Sequence, residues 1–424
     1  MKSTPYWLDT APAFRGASLG AVEGRVDAVV IGGGLTGISA ALGLARQGAA
    51  VVVLEAGQVM GQASGRNGGH CNSGLAHDYA SLAEALGPER AQAFHQAHVD
   101  AVDTVERLVR EEAIDCGFHR PGRLKLAAKP GHFAILARAY ETLRVIDPYV
   151  ELVEPERIRE EVRSDAFHGG LLQSRGAQFH VGKFGIGLAE AAVRPGARIY
   201  ENSEVTGLRR VRGKGFLVTT TRGTMEAEKV FVATGATTRG PFGWFRRRIV
   251  PVGSFIVVTE PLEKPALDRL LPHGRNYVTS KIIGNYFRPT PDNRLLFGGR
   301  ARFAMSDSRS DAKSGRILQA ALARIFPELS GVRIDYCWGG LVDMTADRLP
   351  RAGQHNGLYY AMGYSGHGVQ MAVGTGLAMA EVMSGRTDAN PWRSLSWPAI
   401  PGHFGPPWFL PLAGAYYRLQ DVLH

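Results

Sequence analysis

Short, nearly uncharged apolar runs alternate along this chain with stretches of helical spacing, the pattern of a parallel sheet covered by helices. Residues 26–31 (VDAVVI) and 50–54 read as buried, β-branched strands, and residues 35–47, rich in alanine and leucine, predict a helix closed by Gly48. Residues 229–236 (KVFVATGA) predict a further strand ending in a loop, 358–362 another, and 366–383 a glycine- and alanine-rich helix. Residues 197–200 and 203–208 suggest a strand pair. Two stretches interrupt this α/β pattern. The first, 82–161, is mostly helical, with heptad-like apolar spacing through Ala97, Val102, Val105, Leu108 and Val109. The second, 249–338, opens with strand-like alternation over 249–259 and contains strands around Tyr286 and Leu295. After Asn390, prolines and aromatics give way to an amphipathic end. It reads as a tail packed on the body, with room for peripheral membrane or partner contact.

At the joint of the first strand and helix stands Gly32-Gly33-Gly34-Leu35-Thr36-Gly37, a match to GxGxxG. Glycine makes up 53 of 424 residues, so chance alone supplies roughly one such match in a chain this long. The setting is what gives it weight. Gly32 permits the tight turn, Gly34 lets backbone approach a pyrophosphate, and Gly37 lets helix and strand pack closely. The helix start at Leu35 and Thr36 offers free N–H groups and a positive dipole end to phosphates. Glu55, closing the second strand, stands where a carboxylate for the adenosine ribose belongs. This Rossmann-type unit does not separate FAD from NAD.

Composition narrows the classes. Hydrophobic residues are 45% and charged ones 21% of the 424, ordinary for a globular enzyme, and the length calls for two domains or one with large insertions. No apolar run is long enough to span a membrane, and the first residues lack the core of a secretory signal, so a cytoplasmic location is expected. Cys71, Cys116 and Cys337 are scattered, which fits buried reduced thiols and neither a disulfide framework nor a metal site. The net charge of +10 is spread along the chain, Arg246-Arg247-Arg248 being the only short run, with no interleaved aromatics for base stacking. Nucleic acid is not expected; an anionic cofactor or substrate is.

Four separated blocks then carry a resemblance: Gly61-Gln62-Ala63-Ser64-Gly65-Arg66-Asn67-Gly68-Gly69-His70; Asn285 to Asp292 with Leu295 to Arg300; Trp338-Gly339-Gly340 through Asp347 to Pro350; and Gly363-Tyr364-Ser365-Gly366-His367-Gly368-Val369. With Tyr6-Trp7 and the run from Arg25 to Ala56, the chain resembles the D-amino-acid oxidase-type FAD-dependent oxidoreductases over nearly its whole length. It is most similar to their γ-glutamylputrescine oxidase-like branch. The resemblance implies an α/β fold with α+β insertions: a Rossmann-type FAD-binding domain from 1–80, 170–245 and 340–385, and a second, mixed-sheet substrate domain from 81–169 and 246–339. Residues 386–424 form the tail.

It further implies FAD held by Gly32, Gly34, Leu35, Thr36, Gly37, Glu55 and Ala56. The loop Ser64, Gly65, Arg66, Asn67, Gly68, Gly69 and His70 would pass close to the pyrophosphate and ring, with Ser64, Arg66 and Asn67 as donors. Val205, Thr234 and Gly235 would lie near the dinucleotide, and Gly363, Gly366, His367, Gly368 and Val369 at the flavin. There a helix N-terminus would stabilise negative charge at N1 and the C2 carbonyl. The activity implied is oxidation of the C–N bond of an amine or amino acid, γ-glutamylputrescine-like or N-substituted, by hydride transfer to flavin N5. Imine hydrolysis and reduction of O2 to H2O2 would follow. A dehydrogenase of the same fold, passing electrons to a quinone or protein carrier, is the alternative; a non-catalytic flavin-binding module is a third. Such chemistry needs no catalytic triad.

Candidate substrate-side residues are His70, Lys281, Tyr286, Arg288 and Trp338. Lys281 would activate oxygen or be an exposed strand lysine, and Arg288 would clamp a substrate carboxylate or form a structural ion pair. Trp338 would form an apolar wall or pack. Matching on Asp347 puts Gly340, not Cys337, where related sarcosine oxidases carry a flavin-linking cysteine. Asn67 stands where dimethylglycine dehydrogenases carry a linking histidine. Non-covalent FAD is therefore expected.

Overall fold

The computed structural model describes residues 1–211, 213, 215–299 and 304–423. The apolar run at its start forms the strand Arg25–Ile31, central in a sheet and parallel to Val51–Leu54 on one side and Gly223–Val232 on the other. Arg198–Tyr200 and Leu358–Met362 extend it in parallel at either end. Antiparallel Arg351–His355 closes one edge, and Val205–Val211 with Gly215–Thr220 forms a meander onto Gly223–Val232. All residues of the helix Leu35–Arg46 except Arg46 are buried. It packs against the helix Gly368–Met383 so closely that a Cβ at Gly376 would lie 2.5 Å from the Thr36 carbonyl oxygen.

The stretches 197–200 and 203–208 do form strands, but not a pair. Asn202 N–H donates to the Gly57 carbonyl (2.8 Å) and Ser203 N–H to that of Glu55 (2.7 Å). The link is thereby pinned to the end of the second strand instead of folding into a hairpin, and the two strands take different partners.

The second sheet has eight strands in the order Ile334–Met344, Val250–Thr259, Leu295–Gly299, Asn285–Pro289, Asn276–Thr279, Arg123–Leu126, Gly170–Gln173 and Val150–Val153. All neighbours are antiparallel except Asn276–Thr279 beside Arg123–Leu126. The stretch 82–161, expected to be mostly helical, thus contributes two strands besides the helices Pro88–Glu111 and Pro130–Leu143. Val102, Val105 and Leu108 of the expected spacing are buried on the first of these helices. Gly170–Gln173, which the sequence groups with the dinucleotide half, pairs in the second sheet instead. Arg300 lies outside the described residues.

Period-two alternation gives this sheet two different faces. Leu124, Leu126, Phe255, Val257, Tyr277 and Phe287 turn to a core under the helix Ser308–Ile325, while Arg123, Lys125, Ser254, Val278 and Tyr286 line a cavity facing the first sheet. The tail buries Trp392 and Trp397 and ends in the helix Leu410–Leu423. Among the described residues no helix is long and apolar enough to cross a membrane.

Candidate active site

The cavity, about 690 Å³, lies outside the carboxyl ends of the parallel strands and extends under the second sheet. At one end Gly32 adopts φ 111°, and a Cβ there would lie 2.7 Å from the Ala233 carbonyl oxygen. A Cβ at Gly37 would lie 1.9 Å from the Gly32 oxygen, so strand and helix meet here without side chains. Glu55 accepts Gly33 N–H on one carboxylate oxygen (2.6 Å) and Gly57 N–H on the other (2.8 Å). It therefore shapes the turn as well as lining the cavity beside Ala56 and Val205. Ser64 Oγ accepts Leu35 N–H at 3.0 Å, capping the helix from a distant loop. The N–H groups of Gly34, Thr36 and Gly37 have no partner among the described residues, which is what a phosphate group requires of a helix N-terminus.

The glycine loop is held mainly by its own polar side chains. Asn67 donates to the Ser64 carbonyl (2.8 Å) and accepts Gly69 N–H (2.8 Å). Arg66, expected as a phosphate donor, donates instead to the carbonyls of Gly61 (2.9 Å) and Gly339 (3.1 Å). It ties the loop to the second sheet from the cavity wall.

Arg288 is a larger correction. It is buried outside the cavity, with its guanidinium donating to the carbonyls of Gly69 and Phe179, both at 3.0 Å, and lying 5.0 Å from the Trp7 ring centre. It is neither a carboxylate clamp nor half of an ion pair; burial lowers its pKa to about 9. Trp338 is likewise buried off the cavity, donating to the Arg66 carbonyl at 3.0 Å.

The other end is built by Asp343, which the sequence did not single out. Its carboxylate accepts the N–H groups of Gly363 (2.6 Å) and Tyr364 (3.2 Å), and its carbonyl accepts Ser365 N–H (3.1 Å). The loop takes positive φ at Gly363 (80°), Ser365 (52°) and Gly366 (95°), and Asp343 holds it there. Burial raises the Asp343 pKa to about 6 against the pull of those N–H donors. The loop delivers Gly366, His367, Gly368 and Val369 to the cavity, where the N–H groups of Gly368 and Val369 have no partner among the described residues. Tyr364 hydroxyl meets Thr36 hydroxyl at 3.0 Å, joining the two ends. Thr234 and Gly235 line the stretch between.

Of the expected residues, only Gly37, Gly65, Gly69, Gly363, Arg288 and Trp338 fall outside the lining; the four glycines serve turns and close packing beside it. Under the second sheet His70 packs edge-on to Tyr286, ring centres 5.3 Å apart. Its buried Nε2 has no partner, and burial together with Arg288 and Arg123 keeps its pKa well below 6.5, so the imidazole is neutral at pH 7. Lys281 lines the mouth and is exposed.

Missed altogether were Arg123 and Lys125. Both point from one strand into the cavity, and among the described residues neither has a carboxylate in contact. Arg123 donates to Gln173 Oε1 (3.2 Å) and leaves Nε unpartnered. Burial lowers Arg123 to about 10 and Lys125 to about 8, with neighbouring Arg123 lowering Lys125 further and Asp78 opposing. The only signal in the sequence is the alternation Arg-Leu-Lys-Leu, which looks like any half-exposed strand. The three cysteines are buried and none lines the cavity; Cys337 Sγ sits 3.4 Å from the Asp311 carbonyl oxygen. No cluster able to hold a metal ion occurs among the described residues.

A cavity with an open helix N-terminus at each end suits a long dinucleotide that carries phosphates at one place and a redox ring at another. The family model for FAD dependent oxidoreductases (DAO) matches residues 27–382. The chain belongs to this family of FAD-dependent oxidoreductases. Gamma-glutamylputrescine oxidoreductase of Escherichia coli (strain K12) is 33% identical over 403 residues, 94% of this chain and 93% of that protein. Glycine oxidase of Geobacillus kaustophilus (strain HTA426) is 28% identical over 372 residues, 86% of this chain and 94% of that one. In three dimensions the family fold is shared with the glycine oxidase crystal structure from Geobacillus kaustophilus, at TM-score 0.74, 24% identity and coverage of 88% and 100%. L-proline dehydrogenase from P.horikoshii follows at TM-score 0.70, 20% identity and coverage of 88% and 98%.

Proposed function

We propose that this flavoenzyme oxidises the C–N bond of an amine or amino acid that carries a carboxylate, using non-covalently bound FAD. The observation that carries this reading is the pair Arg123 and Lys125, two cations without a carboxylate partner among the described residues, in the same cavity as the two open helix N-termini. A cation drawn partly out of water is costly unless an anion meets it, and a substrate carboxylate supplies one. The same positive field lowers the pKa of the substrate's amino group, favouring the neutral amine that oxidation requires.

When bound, FAD supplies a two-electron acceptor that takes a hydride from the carbon next to nitrogen and passes the electrons to O2 or another acceptor. The chain's own residues do the rest. Gly34 and Thr36 would hold the pyrophosphate through N–H groups, and Glu55 would meet the ribose. Gly368, Val369 and their helix dipole would stabilise negative charge at the pyrimidine edge. Neutral His70 and Tyr286 would shape the substrate side with Arg123 and Lys125. Non-covalent attachment is supported by the absence of any thiol from the lining, Gly340 included.

Anaerobic mixing with a panel of amines, N-methyl amino acids and γ-glutamyl amines tests the reading. Carboxylate-bearing amines should bleach the flavin absorbance, and air should restore it with release of peroxide. Flavin that no amine reduces would sink the proposal; bleaching without rapid reoxidation in air would move the acceptor to a quinone or protein carrier.

A further inference from the structure

The helix Leu410–Leu423 is held to the body near its C-terminal end. Asp421 carboxylate accepts the N–H groups of Ile282 and Ile283, both at 2.8 Å, and its carbonyl accepts from Lys129 Nζ at 2.5 Å. The outward side is a different surface. Phe404, Trp408, Leu412, Tyr416, Leu419 and Leu423 are each between 56% and 70% exposed. Within the helix, positions 412, 416, 419 and 423 repeat every three or four residues, so they form one stripe, and the exposed Phe404 and Trp408 precede it in the chain. The charged residue exposed on this helix is the cation Arg418.

A second observation comes from the basic run that the cavity leaves unused. Arg248 is spent internally, on the carbonyls of Trp397 (2.7 Å) and Trp244 (2.8 Å). Arg246 and Arg247 are exposed, and Arg247 lies 5.0 Å from the Phe404 ring centre. Arg247 therefore borders the aromatic end of the stripe, next in the chain to exposed Arg246, with Arg418 on the helix itself.

We infer that this face docks the enzyme on the surface of an anionic lipid bilayer. Aromatic and aliphatic side chains on one helix face, bordered by arginines, suit the boundary between headgroups and acyl chains, and the arginines attract anionic headgroups. A second copy of the chain is the poorer match. After Asp388 the tail carries one acid, Asp421, already engaged with Ile282 and Ile283, so a symmetric pairing of this helix face brings its arginines together with no unengaged tail acid to meet them. Docking also sets the cavity mouth beside the bilayer, because Lys281 and Ile282, next to the Asp421 anchor, line it.

The test is flotation of the yellow holoenzyme with vesicles of phosphatidylglycerol and phosphatidylcholine, against phosphatidylcholine alone. The enzyme should float with the first and not the second, and high salt should release it. Leu412→Glu with Leu419→Glu should abolish flotation. Arg246→Gln with Arg247→Gln should weaken it about 25-fold, about fivefold for each arginine. Flavin content and turnover in free solution should be unchanged in both. Wild-type enzyme that stays off anionic vesicles overturns the inference. So does a dimer abolished by the leucine substitutions in an enzyme that binds no vesicle, which would assign the face to a second copy.

Discussion

Lys125→Met separates what the enzyme needs for binding from what it needs for stability. Lys125 shares its strand face with Arg123, and burial with Arg123 nearby lowers its pKa from 10.5 to about 8. The folded chain therefore binds this proton less tightly than the unfolded chain does. The unfolded chain carries more protons between about pH 8 and 10.5, so stability rises with pH across that window, and the full cost of the charge is felt below pH 8. A fall from 10.5 to about 8 corresponds to about 3 kcal/mol, at about 1.4 kcal/mol per tenfold. Lys125 is only half-buried and water reaches the cavity, which reduces this to about 1–2 kcal/mol.

Methionine keeps the stem and removes the charge. The substrate-free variant should thus be about 1–2 kcal/mol more stable at pH 7, with the gain fading toward pH 10. Loss of one charge-assisted hydrogen bond, about 2 kcal/mol, should weaken a carboxylate-bearing substrate about 30-fold and leave an amine without a carboxylate nearly unaffected. Urea unfolding at pH 7 and at pH 10 reads the first effect; anaerobic titration of the flavin absorbance reads the second. A variant less stable at pH 7, or one that loses both substrates equally, refutes the reasoning.

Asp343→Asn replaces one acceptor of the Gly363–Tyr364 N–H pair by a donor, so flavin affinity should fall by about 5- to 150-fold, the effect of about 1–3 kcal/mol for an unmet buried group; dilution-induced flavin fluorescence measures it. In the wild type, protonation of Asp343, whose pKa is about 6, should loosen flavin as pH drops through 6, and the asparagine variant should lack that step. Arg288→Met strands the Gly69 and Phe179 carbonyls, at a cost of about 2–4 kcal/mol, and should lower stability and flavin content without selectively raising KM for carboxylate-bearing substrates. Acid precipitation should leave the yellow colour in the supernatant; colour retained in the pellet would reveal a covalent link.

How legible all this is from the sequence depends on how local the cause is. The unit from Arg25 to Glu55 can be read because its turn, helix start and closing acid are neighbours in the chain, and Gly33 and Gly37 answer contacts within it. The loop at Gly363 can be read for its glycines, but not for Asp343, twenty residues away on another sheet, which holds it in shape. Arg288 looks like a ligand-binding arginine in any strand; only the folded chain shows two carbonyls, from Gly69 and Phe179, waiting for it. Arg123 and Lys125 err the other way. Alternation says they leave the core, and nothing local says that the space they enter is a cavity and not the outer surface.

The central claim is that one cavity grips FAD from both ends. Electron density of the yellow protein tests it most directly. The pyrophosphate should lie against the N–H groups of Gly34 and Thr36, and the isoalloxazine pyrimidine edge against those of Gly368 and Val369. A flavin found elsewhere, or one reaching only the first of these sites, would contradict it.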